Sequence, residues 1–544
     1  MQVRTIQSPG SKNSRIPATV RIGVTGHRAL PNEPHIRESV KGVLARLDGI
    51  LHHTPHSFVV VSPLAESADR IVATEVLAWH IPEGADKPSL EVVLPLPKED
   101  YLRDFAAQKS VDEFNALVAT ATSTRTLDPA ATRTAAYEQV GRYVVDHCDV
   151  LIAIWDGKPA GGQGGTAEIV EYARKIGRSF FWINLENGKI KEERNADRIL
   201  ESLNYLDAYN GEELNDQKNG SAIEAQYRIL EKPAKESGLG SDLLEPLRQH
   251  LLPQFVRADL LAQRYQYRYT RAGTSVYALA ALAVATVTIQ TLFFPQFFQL
   301  LWLEVAEIAL ILLLLWANHV GDWHRKWIDY RFLAERLRAA LLLCVAGIEC
   351  DLPKPPPHLR LSHRPDDWMI RAFAWIWKSR PQAQPSRGIP LESLKDFLLA
   401  AWVGDQCSFY VKTGERHGKR HWLLARTGEA LFGLTLLAAG VHAAGLGDWF
   451  LPYPPLHPGV LPSAAIILPT IGAALGGIRV HREYLRNTER YSHMARHLST
   501  LGEQIKQAVD LQALTNLLEK ANEVMLLENQ DWRVLILSQE LHAP

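Results

Sequence analysis

Four long apolar runs in the second half of the chain, at about residues 274–294, 300–320, 430–447 and 460–478, restrict its folding more than any other feature. A helix rises 1.5 Å per residue, so about 20 apolar residues cross the roughly 30 Å hydrocarbon core of a bilayer. Each run is therefore read as a membrane span. Charge sets the expected orientation. Arg264, Arg268 and Arg271 precede the first run and Arg325, Lys326 and Arg331 follow the second, while the Pro-Gln-Phe-Phe-Gln turn between them has neither Lys nor Arg. The second pair repeats this arrangement, with Arg416, Lys419 and Arg420 before it, Arg479, Arg482 and Arg486 after it, and no Lys or Arg in the connector 448–459. The positive-inside rule places both connectors outside and the flanks, with both termini, in the cytosol.

The two pairs also look like copies. Tyr330-Arg-Phe-Leu-Ala-Glu-Arg-Leu337 aligns with Tyr491-Ser-His-Met-Ala-Arg-His-Leu498, and Gln263-x-x-x-Tyr267 matches Gln406-x-x-x-Tyr410. An all-α domain with four spans and long cytoplasmic helices is expected. Within it Glu304 and Glu307 lie one turn apart, and a carboxylate in hydrocarbon normally faces protein or water, which makes them pore candidates. The plainer reading puts Glu304 at the headgroup boundary; Glu429 and His442 share that ambiguity. Gly472-x-x-x-Gly476 and Pro469 permit close helix contact or a kink, and Phe293, Phe294, Phe297, Phe298 and Trp302 suit an interfacial aromatic belt.

The amino-terminal part follows another pattern. Short apolar runs at 20–24, 58–61, 90–94, 149–155 and 180–183 alternate with helical patterns near 35–52, 67–80, 136–147 and 166–177. This order specifies an α/β, doubly wound parallel sheet of Rossmann-like type. Ile36, Val40, Val43, Leu47 and Ile50 give the first helix one face for packing on that sheet. The 544 residues are too many for one core. They divide into a polar tail 1–19, the α/β domain 20–190, a connector 191–256 with a hinge near 236–242, and two two-span units, 257–400 and 401–544. With 59 Lys+Arg against 60 Asp+Glu there is no global basic field for nucleic acid. Cys148, Cys344, Cys350 and Cys407 show no paired spacing, so neither disulfides nor a metal is expected. The polar start lacks the apolar core of a signal peptide.

In a doubly wound sheet, ligands bind beyond the carboxyl ends of the strands. Three loops there carry suitable chemistry. The first supplies Gly23, Thr25, Gly26, His27 and Arg28; the second Ser62, Glu66, Asp69 and Arg70; the third runs Asp156-Gly-Lys-Pro-Ala-Gly-Gly-Gln-Gly-Gly-Thr166, with Gly161, Gly162, Gly164, Gly165, Thr166 and Glu168 as candidates. Glycines let the backbone approach an anion, and the following helix offers free amides and a positive dipole end. Each candidate also has a plain structural reading. The glycines can form a mere turn, His27 can be a loop residue, and Glu66 and Asp69 can be first-turn acids stabilising a helix dipole.

Residues 20–185 resemble the SLOG superfamily, the Rossmann-like group that contains the cytokinin-activating LOG enzymes, DprA-type DNA-binding proteins and sensor domains of bacterial defence systems. The resemblance rests on the glycine loop with Thr166, similar to the pattern Pro-Gly-Gly-x-Gly-Thr-x-x-Glu. It departs at Ala160, at one additional glycine and at Ile169, where the pattern has Glu, which loosens the case for phosphoribohydrolase catalysis and leaves a nucleotide cradle. The duplicated two-span unit is similar to the SLATT effector domains that accompany such sensors. Together these resemblances imply a nucleotide-signal or cyclic-nucleotide sensor joined to a membrane effector in antiphage immunity, acting in the bacterial inner membrane as a pore or membrane-disrupting protein. A pore built from four spans would most simply need several copies, so a homo-oligomer is expected. No cofactor and no direct nucleic-acid partner are expected. The alternative is a membrane-tethered hydrolase of a nucleotide or NAD-like glycosidic bond, with Glu168 or Glu66 as acid/base and Arg28 on phosphate. A transporter is the third reading.

Overall fold

The computed structural model describes residues 15–80, 85–159, 165–194, 198–240, 243–345, 347, 368–380, 389–445 and 459–537. Most of the polar tail, the 448–458 connector, part of the expected hinge, and Gly161, Gly162 and Gly164 lie outside them. The elements run β1 (Ala18–Gly26), α1 (Glu33–Ile50), β2 (His56–Ser62), α2 (Ala68–Leu77), β3 (Ser89–Leu94), α3 (Lys98–Tyr101), α4 (Gln108–Thr120), β4 (Ser123–Thr126), α5 (Arg133–His147), β5 (Val150–Trp155), α6 (Thr166–Ile176), β6 (Phe180–Asn184), β7 (Ile190–Glu193) and α7 (Ile199–Gly211). They continue with α8 (Asp216–Glu236), α9 (Glu245–Gln249), α10 (Leu251–Phe293), α11 (Leu301–Gly321), α12 (Trp323–Val345), α13 (Trp368–Lys378), α14 (Leu391–Leu398), α15 (Gly404–Ala443), α16 (Val460–His481), α17 (Tyr484–Lys506) and α18 (Leu511–Leu537).

Two compact units result: Met1–Asp216 with Lys354–Arg380, and Gln217–Pro353 with Pro381–Pro544. In the first, seven strands form one sheet in the order β4-β3-β2-β1-β5-β6-β7. All neighbours are parallel except β6 and β7, so the doubly wound sheet ends in an antiparallel edge. The central strands β2 and β5 are buried along their whole length, as strands covered by helices on both faces must be. On one face Ile36, Val40, Val43 and Leu47 of α1 pack on Ile22, Val60 and Ile152. On the other, Val144 of α5 and Ile169 of α6 cover Leu151 and Ala153.

Although α13 falls between the two-span segments in sequence, it belongs to the unit of the sheet. Trp368 meets Tyr209 of α7 at 5.4 Å, and Arg371 donates to Asp149 at 2.6 Å beside the amino end of β5.

In the helical unit, Leu251–Phe293, Phe298–Gly321, Leu391–Ala443 and Val460–Lys506 contain stretches long and apolar enough to cross a membrane. The helices extend well past the apolar runs. α10 packs on α11, α12 and α16, and α15 packs on α16 and α17. A Cβ on Gly477 would collide with the Tyr277 ring and one on Gly273 with His481, so these glycines set the approach of α10 and α16. Gly472 faces Phe432 of α15, whereas Gly476 meets nothing within 4 Å. Of the expected repeat, Tyr410 and Tyr491 pack at 5.5 Å, but Tyr330 meets Tyr265 at 5.7 Å, leaving Tyr267 exposed.

Candidate functional site

Strand order reverses between β1 and β5, because the chain builds outward from β1 to β4 on one side and from β5 to β7 on the other. At such a reversal the loops leaving the two strands diverge and open a crevice beyond their carboxyl ends. Here those loops carry Gly26 to Arg28 after β1, and Asp156 and the glycine segment before α6 after β5. The His27 amide donates to the Ile154 carbonyl at 3.2 Å, and its Nε2 lies 3.4 Å from Asp156 Oδ1. The Lys158 amide, then His27, hold the Asp156 carboxyl below its ordinary value. Arg28 is exposed, with its guanidinium 5.0 Å over the Tyr137 ring of α5.

The first-loop glycines have a packing role. A Cβ on Gly23 would lie 2.8 Å from Cys148 Sγ, and one on Gly26 would overlap Ala68 of α2 and come within 3.1 Å of Ile154. They let α5 and α2 close onto β1.

The β2–α2 loop is rigid. Leu64 and Ser67 both have positive φ, at 57° and 64°, in a region that costs non-glycine residues roughly 1–3 kcal/mol. Surrounding bonds impose it. Ser62 Oγ accepts from the Leu64 amide at 2.9 Å, Arg70 Nε donates to the Leu64 carbonyl at 3.2 Å, and Ser67 Oγ donates to the Arg28 carbonyl at 2.7 Å. Asp69 accepts from the Ala65 amide at 3.1 Å and from Ser62 Oγ at 3.3 Å. Burial pushes the Asp69 carboxyl up to about 7, against the pull of those two bonds and of Arg28 and Arg70. Arg70 also donates to Ser110 of α4 and stacks 4.7 Å from the Phe105 ring.

The nominated residues therefore divide into two groups. Ser62, Asp69, Arg70 and Gly23 are buried and shape the rim from within. Thr25, His27, Thr166 and Glu168 are half-buried, and Arg28 and Gly165 are exposed. Glu66 is half-buried too, but Ser110 Oγ donates to it at 2.5 Å. Asp156, Ser67 and Tyr137 lie beside them without having been nominated; Asp156 carried a signal, as the first residue after β5. Ile169, where the resembling pattern has Glu, is core, and a Cβ on Gly141 would lie 2.5 Å from it. In the helical unit Glu307 is buried against α10 and accepts from Thr286 at 3.2 Å, while Glu304 is half-buried in the first turn of α11.

These features define a class: a Rossmann-like sheet whose strand order reverses between β1 and β5, in one chain with four helices long and apolar enough to cross a membrane. No protein-family model and no curated protein matches the sequence.

Proposed function

We propose that the crevice between β1 and β5 binds a nucleotide-derived signal and that occupancy shifts the membrane helices between two states. The observation that carries this reading is the coincidence of the strand-order reversal with a glycine segment and the amino end of α6, where amides and dipole favour phosphate. Arg28 supplies the exposed cation, and Thr25, His27 and Thr166 the polar rim. A ligand moves such an equilibrium only by preferring one state. On this reading the chain sits in the bacterial inner membrane with both termini cytoplasmic, and several copies form a pore or lesion in antiphage defence, as the likeness to SLOG and SLATT domains implies. The buried Glu307, one turn from Glu304, is the polar feature of the second span that such a path would use.

The test is dye leakage from liposomes carrying the full-length protein, against a panel of nucleotides and cyclic oligonucleotides, with Thr166→Arg beside the wild type. Ligand-triggered leakage that the variant loses supports the reading. Tight binding with nucleotide breakdown and no leakage replaces it with a tethered hydrolase, in which Glu168→Gln would stop turnover while sparing binding. The core position of Ile169 and the engagement of Glu66 by Ser110 count against that second reading.

A further inference from the structure

The helical unit contains a cavity of about 810 Å³ that the proposed function leaves unused. Its walls come chiefly from α10 and α12 of the first two-span half and from α15 and α17 of the second. It lies where the apolar runs end: Tyr269 and Thr270 come just before the first run, His324 just after the second, Arg420 before the third and His481 after the fourth.

Its chemistry is cationic. Six arginines line it (Arg331, Arg338, Arg416, Arg420, Arg482 and Arg490) against four carboxylates. Three of those carboxylates are already engaged. Arg331 lies 2.9 Å from Asp259 and also pairs with Glu335, Arg338 reaches Glu335 at 2.9 Å, and Glu483 pairs at 3.2 Å with Arg486 outside the lining. Among the described residues, Arg416, Arg420 and Arg482 meet no carboxylate. Arg416 and Arg420 are exposed. Arg482 is half-buried, and its buried Nε finds no acceptor; buried ring nitrogens of His324 and His417 are likewise without a partner. Buried donors are normally satisfied, so the Arg482 Nε–H is free to meet a ligand acceptor, while each neutral histidine can donate from whichever ring nitrogen carries its proton.

We infer that this cavity binds a phosphate-bearing anion, held by Arg482 and steered in by Arg416 and Arg420. The guanidinium fork matches phosphate oxygens in pairs, and the volume is of the size that holds small molecules, about 300–1,000 Å³. At the end of the apolar runs the phosphate has two sources, an anionic lipid headgroup or a soluble phosphate compound. The cavity that takes either occupant has walls from both two-span halves. The inference does not depend on a ligand in the α/β crevice.

Full-length protein in phosphatidylcholine nanodiscs, titrated with inorganic pyrophosphate, tests the soluble source; nanodiscs containing phosphatidylglycerol, with retained lipid counted by native mass spectrometry, test the other. Pyrophosphate binding that Arg482→Gln weakens about tenfold or more assigns a soluble phosphate. Phosphatidylglycerol retention lost in Arg482→Gln, with no pyrophosphate binding, assigns a lipid. Arg420→Gln, an exposed change that does not disturb folding, weakens the same probe by a smaller factor. Lys412→Gln, exposed on α15 away from the lining, leaves it unchanged. The inference is overturned if neither probe binds, if Arg482→Gln and Arg420→Gln behave as wild type, or if Lys412→Gln loses as much as they do.

Discussion

In the α/β domain Val20, Ile22, Val60 and Ile152 are fully buried, whereas in the helical domain Trp302, Leu312 and Leu436 are 71, 60 and 77% exposed. The polar groups differ as well: the α/β domain buries single charges such as Asp69 and Arg70 beside its sheet, while the helical domain gathers arginines and histidines around a cavity. One chain thus contains two solutions to two solvents. Water drives apolar surface inward, but hydrocarbon is as apolar as Leu, so spans associate through close packing and polar contacts instead.

The largest test of that contrast puts one charge into each apolar surface. Val60→Asp places an unpaired carboxylate in the sheet and should cost more than about 4 kcal/mol, which limited proteolysis of residues 15–216 will register as loss of the folded domain. Leu436→Asp leaves the α/β domain intact and lowers membrane insertion, by about 2.5–3.5 kcal/mol. If Leu436→Asp inserts normally, α15 does not face lipid and the comparison fails.

Next in size is a pH effect confined to the α/β domain. Asp69 keeps its proton up to about pH 7 when folded but loses it near 3.8 when unfolded, so the folded state binds more protons in between. Its contribution is full below about pH 4, declines as pH rises and is gone above about 7, roughly 4 kcal/mol at most. Protection against hydrogen exchange in the 62–70 loop, corrected for the intrinsic pH dependence of exchange, should fall across that window in the wild type and stay level in Asp69→Asn.

Smaller again is a paired substitution in the helical domain. Gly477→Ala pushes a methyl against Tyr277 and should weaken α10–α16 packing by about 1–3 kcal/mol. Gly476→Ala, with open space around it, should be near neutral. Denaturant titration in mixed micelles that ranks the two equally would remove the close helix approach from the account.

The same contrast explains what the sequence disclosed. Strands β2, β5 and β6 were legible from unbroken apolar runs, β1 and β3 from apolar runs that Arg21 and Glu91 interrupt, and the spans because lipid demands longer runs. Strand β4 was not, since Ser123–Thr126 is an exposed edge that needs no apolar residue, nor was the charged antiparallel β7. The docking of α13 through Arg371 and Asp149, 222 residues apart, leaves no local trace. In the crevice the exposed Arg28 could be nominated from its loop. The roles of Gly23 and Gly26 could not, because a glycine spared for an approaching helix reads like one spared for a ligand. The cavity arginines flank three of the four apolar runs, where they read only as topology signals.

The smallest prediction opposes the sign of the Asp69 effect. His324 begins α12 with its ring stacked 4.3 Å from Tyr269, and burial, then the charge His481 would carry, hold it down at about 4. A histidine depressed in the folded state stabilises fully above its unfolded value near 6.5, and that contribution is lost as pH falls through about 4. Only part of the ring is buried, so the effect is on the order of 1–2 kcal/mol. Protection factors in segments 62–70 and 323–331, corrected for intrinsic exchange and followed in the same samples, should therefore change in opposite directions, the first falling as pH rises and the second as pH falls. His324→Gln should flatten only the second. Slopes of the same sign would mean that the two domains do not handle buried ionisable groups separately, because both groups are kept neutral by the same cause and differ only in which form is neutral.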